Sequence, residues 1–125
     1  MKQIVVGLGD RSYPISIGER ILADIGTALN DVAFPKTVAV VTNPTVGELY
    51  CEQIVDALAS SGRKISVIQL PDGEEYKTIE TLENIYDVLI DRQFDRYCGL
   101  IALGGGVIGD MAGFAAATFL RGIPF

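Results

Sequence analysis

The sequence predicts an α/β fold: a Rossmann-like, mostly parallel sheet with helices on both faces and a β-hairpin at the N-terminus. Three observations carry this prediction. From Lys36 onward, apolar runs of strand length (KTVAVVT, KISVIQL, YCGLIAL) alternate with longer segments of helical periodicity. Strands that are apolar almost throughout are those buried on both faces, as helical crossovers between parallel strands require. A glycine triplet, Gly104–Gly106, follows the last of these runs and opens a small-residue helix, and two short β-type runs stand at the start of the chain.

The first of those runs, Lys2 to Gly7, is rich in β-branched residues, and the second, Tyr13 to Ile17, alternates. Gly9-Asp10-Arg11 between them reads as the turn of a hairpin, and Pro14, which has no N–H to donate, keeps the second strand near an edge. Gly18 to Asn30 reads as a helix with Ile21, Leu22, Ile25 and Leu29 on one side. After the strand Lys36 to Thr42, Asn43 and Pro44 are favoured residues for an N-cap and first helical position. Thr45 with Glu48 offers an alternative capping box. The stripe of this helix is Tyr50, Cys51, Ile54, Val55 and Leu58, and Ser61-Gly62 ends it. Lys64 to Leu70 is the next strand and Pro71 to Lys77 a polar loop. Thr78 caps a helix with Ile79, Leu82, Ile85, Tyr86 and Leu89 on its apolar face. A strand over Tyr97 to Leu103, the glycines, and a helix from about Val107 to Leu120 complete the pattern.

Composition narrows the function classes. A chain of 125 residues is one domain, 49% hydrophobic and 21% charged, ordinary values for a globular protein. No apolar run is long enough for a membrane span, and the N-terminus lacks the features of a signal peptide. The net charge of −6 argues against nucleic acid but not against a dinucleotide, which backbone N–H groups at a helix N-terminus can hold. The two cysteines, Cys51 and Cys98, lack metal-type spacing and fit a reduced, cytoplasmic protein. There is no histidine, so the commonest metal ligand and proton-transfer group is missing.

In such folds ligands bind beyond the carboxyl ends of the strands. Three loops fall there: Asn43 to Thr45, Asp72 to Lys77, and Gly104 to Asp110. Gly104, Gly106 and Gly109 have the spacing G-x-G-x-x-G between strand and helix. That is either a phosphate cradle or a tight turn with close packing. It departs from the usual fingerprint because it follows a late strand and has no acidic residue about 20 positions on. Asp110 either complements the helix dipole or accepts hydrogen bonds from a ribose or nicotinamide. Glu74 suits ribose hydroxyls and Lys77 suits an anion, against the plainer reading of a solvated loop. Asn43 and Thr45 are accounted for by capping alone. Arg121 is either a surface residue or a phosphate clamp.

The stretch Leu70-Pro71-Asp72-Gly73-Glu74-Glu75-Tyr76-Lys77, then Ala102 through Ala116 (ALGGGVIGDMAGFAA), then Arg121-Gly122, resembles the N-terminal domain of 3-dehydroquinate synthase. The resemblance implies that residues 1–125 are an NAD-binding domain and that a C-terminal domain lies outside this chain. It implies a shikimate-pathway enzyme converting 3-deoxy-D-arabino-heptulosonate 7-phosphate into 3-dehydroquinate and phosphate. NAD would be used transiently, and a divalent metal, zinc or cobalt, would be held by residues downstream. A homodimer is the expected parent. The implied cofactor contacts are Asp72, Gly73, Glu74, Glu75, Tyr76 and Lys77, with Gly105, Gly106, Val107, Ile108 and Gly109 at the pyrophosphate and Asp110 toward the nicotinamide. Asn43 would lie at the adenosine end with Thr45 near it; family members often carry Asp and Asn at these places. Arg121 would reach the substrate phosphate, in some members across the dimer interface. No catalytic residue or metal ligand is expected within this chain.

The alternatives are a related sugar-phosphate cyclase, a metal-dependent polyol dehydrogenase, or a non-catalytic nucleotide-binding regulatory domain. Gly109-Asp110 with Gly113-Phe114 favours the synthase. The expected outcome of an activity assay is no turnover by the 125-residue chain alone; measurable synthase activity without further residues would contradict it.

Overall fold

The computed structural model describes residues 1–125. Strands β1 (Lys2–Val6) and β2 (Tyr13–Ile17) form an antiparallel hairpin with Ile4 opposite Ile15 and Pro14 opposite Val5. Helix α1 (Ile25–Asp31) follows, then β3 (Thr37–Thr42), α2 (Pro44–Ser60), β4 (Lys64–Gln69), α3 (Ile79–Asp91), β5 (Gly99–Ala102) and α4 (Gly106–Thr118). The three later strands make a parallel sheet in the order β4-β3-β5. No helix is long and apolar enough to cross a membrane.

β3 is the centre of this sheet. Val38, Ala39, Val40 and Val41 are all fully buried. Alternation sends Val38 and Val40 to one face, where they meet Ile54 and Leu58 of α2, with Ile25 and Leu29 of α1 at the border. Ala39 and Val41 face the other way, against a larger core that includes Leu82, Ile85 and Leu89 of α3 and Met111, Ala112 and Ala115 of α4. The two faces explain the unbroken apolar run.

Several boundaries differ from the sequence reading for local reasons. The helix expected from Gly18 begins later: Arg20 adopts a left-handed conformation, Ile21–Asp24 is a short 3₁₀ turn, and only then does α1 start. The strand expected from Tyr97 begins at Gly99, because the Asp95 carboxylate accepts from the Tyr97 N–H at 2.8 Å and holds a turn. The last helix ends at Thr118, whose hydroxyl donates back to the Phe114 carbonyl at 2.7 Å. Leu120 and Arg121 beyond it have positive φ. Tyr50 and Ile79, expected on apolar faces, are exposed. The caps at Asn43 and Thr78 form as expected, accepting from the N–H groups of Val46 and Thr81. Both cysteines are unpaired; Cys98 is buried, which pushes its thiol pKa up, and Cys51 is half-buried.

Arg63 is a polar anchor that the sequence did not announce. It is 5% exposed and has no carboxylate partner. Its guanidinium donates to the carbonyls of Pro35 (3.1 Å), Phe34 (3.3 Å) and Gly26 (3.4 Å) and to the Ser61 hydroxyl (2.7 Å). It therefore gathers the start of α1, the end of α2 and the entry to β3, and the negative end of the α2 dipole favours its charge. Arg63→Met leaves those part-buried and buried acceptors unmet and is expected to lower stability by about 2–4 kcal/mol. Arg63→Lys should recover only part, since an ammonium cannot reproduce the planar fork. Urea unfolding measures both; a loss near zero in each would show the guanidinium to be dispensable.

Candidate functional site

The strand order decides where a ligand fits. α2 leaves the end of β3 toward one face of the sheet and α4 leaves the end of β5 toward the other, so the sheet has a switch point between β3 and β5. The loops after β3, β4 and β5 converge around it.

The glycine-rich turn is the most informative part. Gly105 is the N-cap of α4 and offers no side chain to it, whereas α2 and α3 are both capped. The first internal bond of α4 runs from Gly109 N–H to the Gly105 carbonyl at 3.0 Å, leaving the N–H groups of Gly106, Val107 and Ile108 without a partner in the chain. These donors carry the positive end of the helix dipole. The glycines divide the work. A Cβ at Gly104 would lie 2.8 Å from Ile108, so this glycine serves close packing. A Cβ at Gly105, Gly106 or Gly109 would meet nothing within 4 Å. None of these four has a positive φ, so the backbone itself does not demand glycine. Space left open beside unpaired N–H groups is the geometry a diphosphate fills. The Ile108 side chain is in the core at 1% exposure, so only its backbone N–H is left free at the turn.

The loop after β4 turns at Gly73 (φ 117°) and makes one short 3₁₀ turn over Glu74–Tyr76. Its last residue, Lys77, donates to Asp110 on α4 at 2.6 Å, and Glu74 lies 3.6 Å from the same ammonium. The hydrogen bond that Lys77 donates to Asp110 raises the Lys77 pKa above the usual lysine value, with the charges of Asp110 and Glu74 adding to it and desolvation opposing. Asp72 accepts from the Thr45 hydroxyl at 2.8 Å, which joins this loop to the first turn of α2. The Thr45–Glu48 capping box is therefore not used. The Asn43 carboxamide oxygen is engaged in capping. Glu75 and Tyr76 are exposed and Val107 is half-buried.

The structure thus brings Asn43, Thr45, the Asp72–Lys77 loop and the Gly105–Asp110 turn to one end of the sheet. It does not bring Arg121 there. Arg121 follows the far end of α4, a helix of 13 residues, so it lies about 20 Å from the glycine turn. Gly113 on α4 borders Phe125, whose ring a Cβ would approach to 3.2 Å. Beside the Lys77–Asp110 pair a groove of about 660 Å³ runs between α3 and α4, lined by Thr78, Ile79, Met111, Phe114 and Phe125 among others. Ile79 and Phe114 are exposed there. No group of three or more His, Cys, Asp or Glu that could hold a metal ion occurs in the chain.

Residues 67–125 match the family model described as 3-dehydroquinate synthase N-terminal. Over those residues the chain is similar to the N-terminal part of 3-dehydroquinate synthases. Along its whole length it is 61% identical to the 3-dehydroquinate synthase of Syntrophotalea carbinolica, of which it spans 34%. It thus covers about a third of the curated relatives it matches. Among solved structures, 2-epi-5-epi-valiolone synthase from Streptomyces hygroscopicus subsp. jinggangensis, with NAD+ and Zn2+ bound, is 29% identical and superposes with a TM-score of 0.75; the match covers 98% of this chain and 33% of that one. A 2-deoxy-scyllo-inosose synthase complexed with carbaglucose-6-phosphate, NAD+ and Co2+ shares the fold at a TM-score of 0.86 and 24% identity, with 98% and 33% covered.

The two kinds of glycine should separate in the ligand-free protein. Gly106→Ala is expected to change stability by no more than about 0.5 kcal/mol, or to raise it, because helix propensity favours alanine. Gly104→Ala forces a Cβ against buried Ile108 and should cost about 1–3 kcal/mol. Thermal unfolding distinguishes them, and equal losses would place both glycines in the packing class. Lys77, with its raised pKa, stays charged across the neutral range, so its ion pair persists there and is lost only as pH climbs past that raised value. Because the pair is partly exposed, salt should loosen it before pH does. Amide exchange of residues 72–77 against salt and pH reads this directly; a loop that loosens near neutral pH would contradict it.

Proposed function

We propose that this chain is the cofactor-binding part of a 3-dehydroquinate synthase and that it holds NAD at the end of the sheet. The observation that carries the reading is the uncapped N-terminus of α4, where three unpaired N–H groups face space that glycines keep open. The dinucleotide diphosphate would rest on Gly105, Gly106 and Val107, with the N–H of Ile108 and the bare backbone of Gly109 alongside. Asp72, Gly73, Glu74, Glu75, Tyr76 and Lys77 would flank it, with Glu74 accepting from ribose hydroxyls and Lys77 countering negative charge. Asp110 would stand toward the nicotinamide, while Asn43 and Thr45 would border the adenosine end. Lys77 and Asp110 bond each other across the loops, so a ligand entering here exchanges that contact for its own.

The activity proposed for the whole protein is conversion of 3-deoxy-D-arabino-heptulosonate 7-phosphate to 3-dehydroquinate and phosphate in the cytoplasm. NAD, when bound, supplies transient oxidation of a substrate alcohol, which acidifies the adjacent C–H for loss of phosphate. The residues present do not fit a zinc or cobalt ion. Its ligands would come from parts of the relatives that this chain does not span. Arg121, remote from the glycine turn of its own chain, suits a substrate phosphate bound at the site of a second subunit, consistent with a homodimer.

Titration calorimetry with NAD, NADP and ATP tests the cofactor assignment. Weak, saturable binding that prefers NAD is expected, and Gly106→Ala should weaken it at least tenfold without loss of stability. Equal affinity for all three nucleotides would favour a regulatory nucleotide-binding domain. No saturable binding would overturn the assignment of a sufficient cofactor site to these residues.

A further inference from the structure

Thr42 closes β3 at the switch point and is 1% exposed. Its backbone carbonyl accepts from the Leu70 N–H at 2.8 Å, the residue from which the Asp72–Lys77 loop departs. Its side-chain hydroxyl donates to the Leu103 carbonyl at 2.8 Å, the residue from which the glycine-rich turn departs. The last backbone rung between β3 and β5 is one residue earlier, from Leu103 N–H to the Val41 carbonyl at 2.9 Å. The Thr42 hydroxyl therefore adds a further rung where the strands begin to part, and the Leu103 carbonyl has no other donor in the chain. Gly47 in the first turn of α2 seats the same side chain from above: a Cβ there would lie 3.3 Å from the Thr42 methyl.

We propose that Thr42 is a positioning residue of the cofactor site, tying both ligand-facing loops to one point on β3 and so setting the gap that the cofactor spans. It touches no ligand itself. Its carbonyl belongs to the backbone and survives substitution, but the hydroxyl holds the height of Gly104–Gly106 over the sheet, and a buried carbonyl that loses its donor must move or stay unsatisfied. Valine has the shape of threonine without the hydroxyl; serine keeps the hydroxyl without the methyl. The pair separates positioning from packing.

The inference rests on the reading that these loops hold NAD, so two readouts are needed. The first is the amide NMR spectrum of the ligand-free chain. Thr42→Val should shift or broaden the amides of Gly104 to Val107 while those of Leu70, Asp72 and Gly73 stay in place, and Thr42→Ser should resemble the parent. The second is NAD titration, where Thr42→Val is expected to raise Kd roughly tenfold, the usual weight of one buried hydrogen bond. Thr42→Ser should stay within about twofold of the parent, well under the tenfold step that one such bond represents. Unmoved glycine-turn amides in Thr42→Val would overturn the proposal. So would a Thr42→Ser variant as impaired as Thr42→Val, which would assign the effect to the methyl group. If Thr42→Val does not fold, Thr42→Ser alone decides by the same two readouts. Failure of the parent chain to bind NAD would sink the cofactor reading instead, and the glycine-turn amides would still judge the role of Thr42.

Discussion

The arrangement depends on the burial of β3 on both faces and its pairing on both edges. Four consecutive residues of this strand are fully buried, and neighbours on each side complete its hydrogen bonds. A parallel strand so enclosed needs helices above and below, and the crossovers that supply them bring the following loops to one end. The loops after β3, β4 and β5 are therefore neighbours because of the connectivity, before any side chain is considered.

At that end the electrostatics are economical. The chain is acidic, with a net charge of −6, yet the ligand proposed for it is an anion. The attraction comes from backbone dipoles at α4, whose first turn has neither a capping side chain nor an acidic residue. Lys77 is the one basic side chain of the Asp72–Lys77 loop, and without a ligand it is held by Asp110 and Glu74. Such a pair orders a polar loop without demanding a buried charge. Arg63, at the opposite end of the strands, handles a similar problem differently: carbonyls and a hydroxyl replace the missing carboxylate.

Much of this was legible in the sequence. Periodicity located every strand and the three longer helices, because burial on one or two faces leaves a repeating pattern. The caps at Asn43 and Thr78 were readable because capping is local chemistry. The glycine triplet was readable as a turn, though not which glycine packs and which lies open, since that depends on where Ile108 falls. Boundaries shifted where one side chain redirected the backbone, as Asp95 does before β5. Thr42 and Arg63 escaped notice because nothing in their sequence neighbourhood differs from an ordinary strand end or surface arginine.

The sequence by itself determined the α/β class, the order of elements, the hairpin, the family resemblance and the segments that carry polar chemistry. These follow from local propensity, periodicity and motif, which act over a few residues to one helical turn. Tertiary structure alone decided that Lys77 meets Asp110 across 33 positions and that Thr42 reaches Leu103 across 61. It also set Arg121 far from the turn that its motif accompanies in sequence. Those relations arise from the crossover of β5 to the far side of β3, a long-range packing outcome that no local pattern encodes.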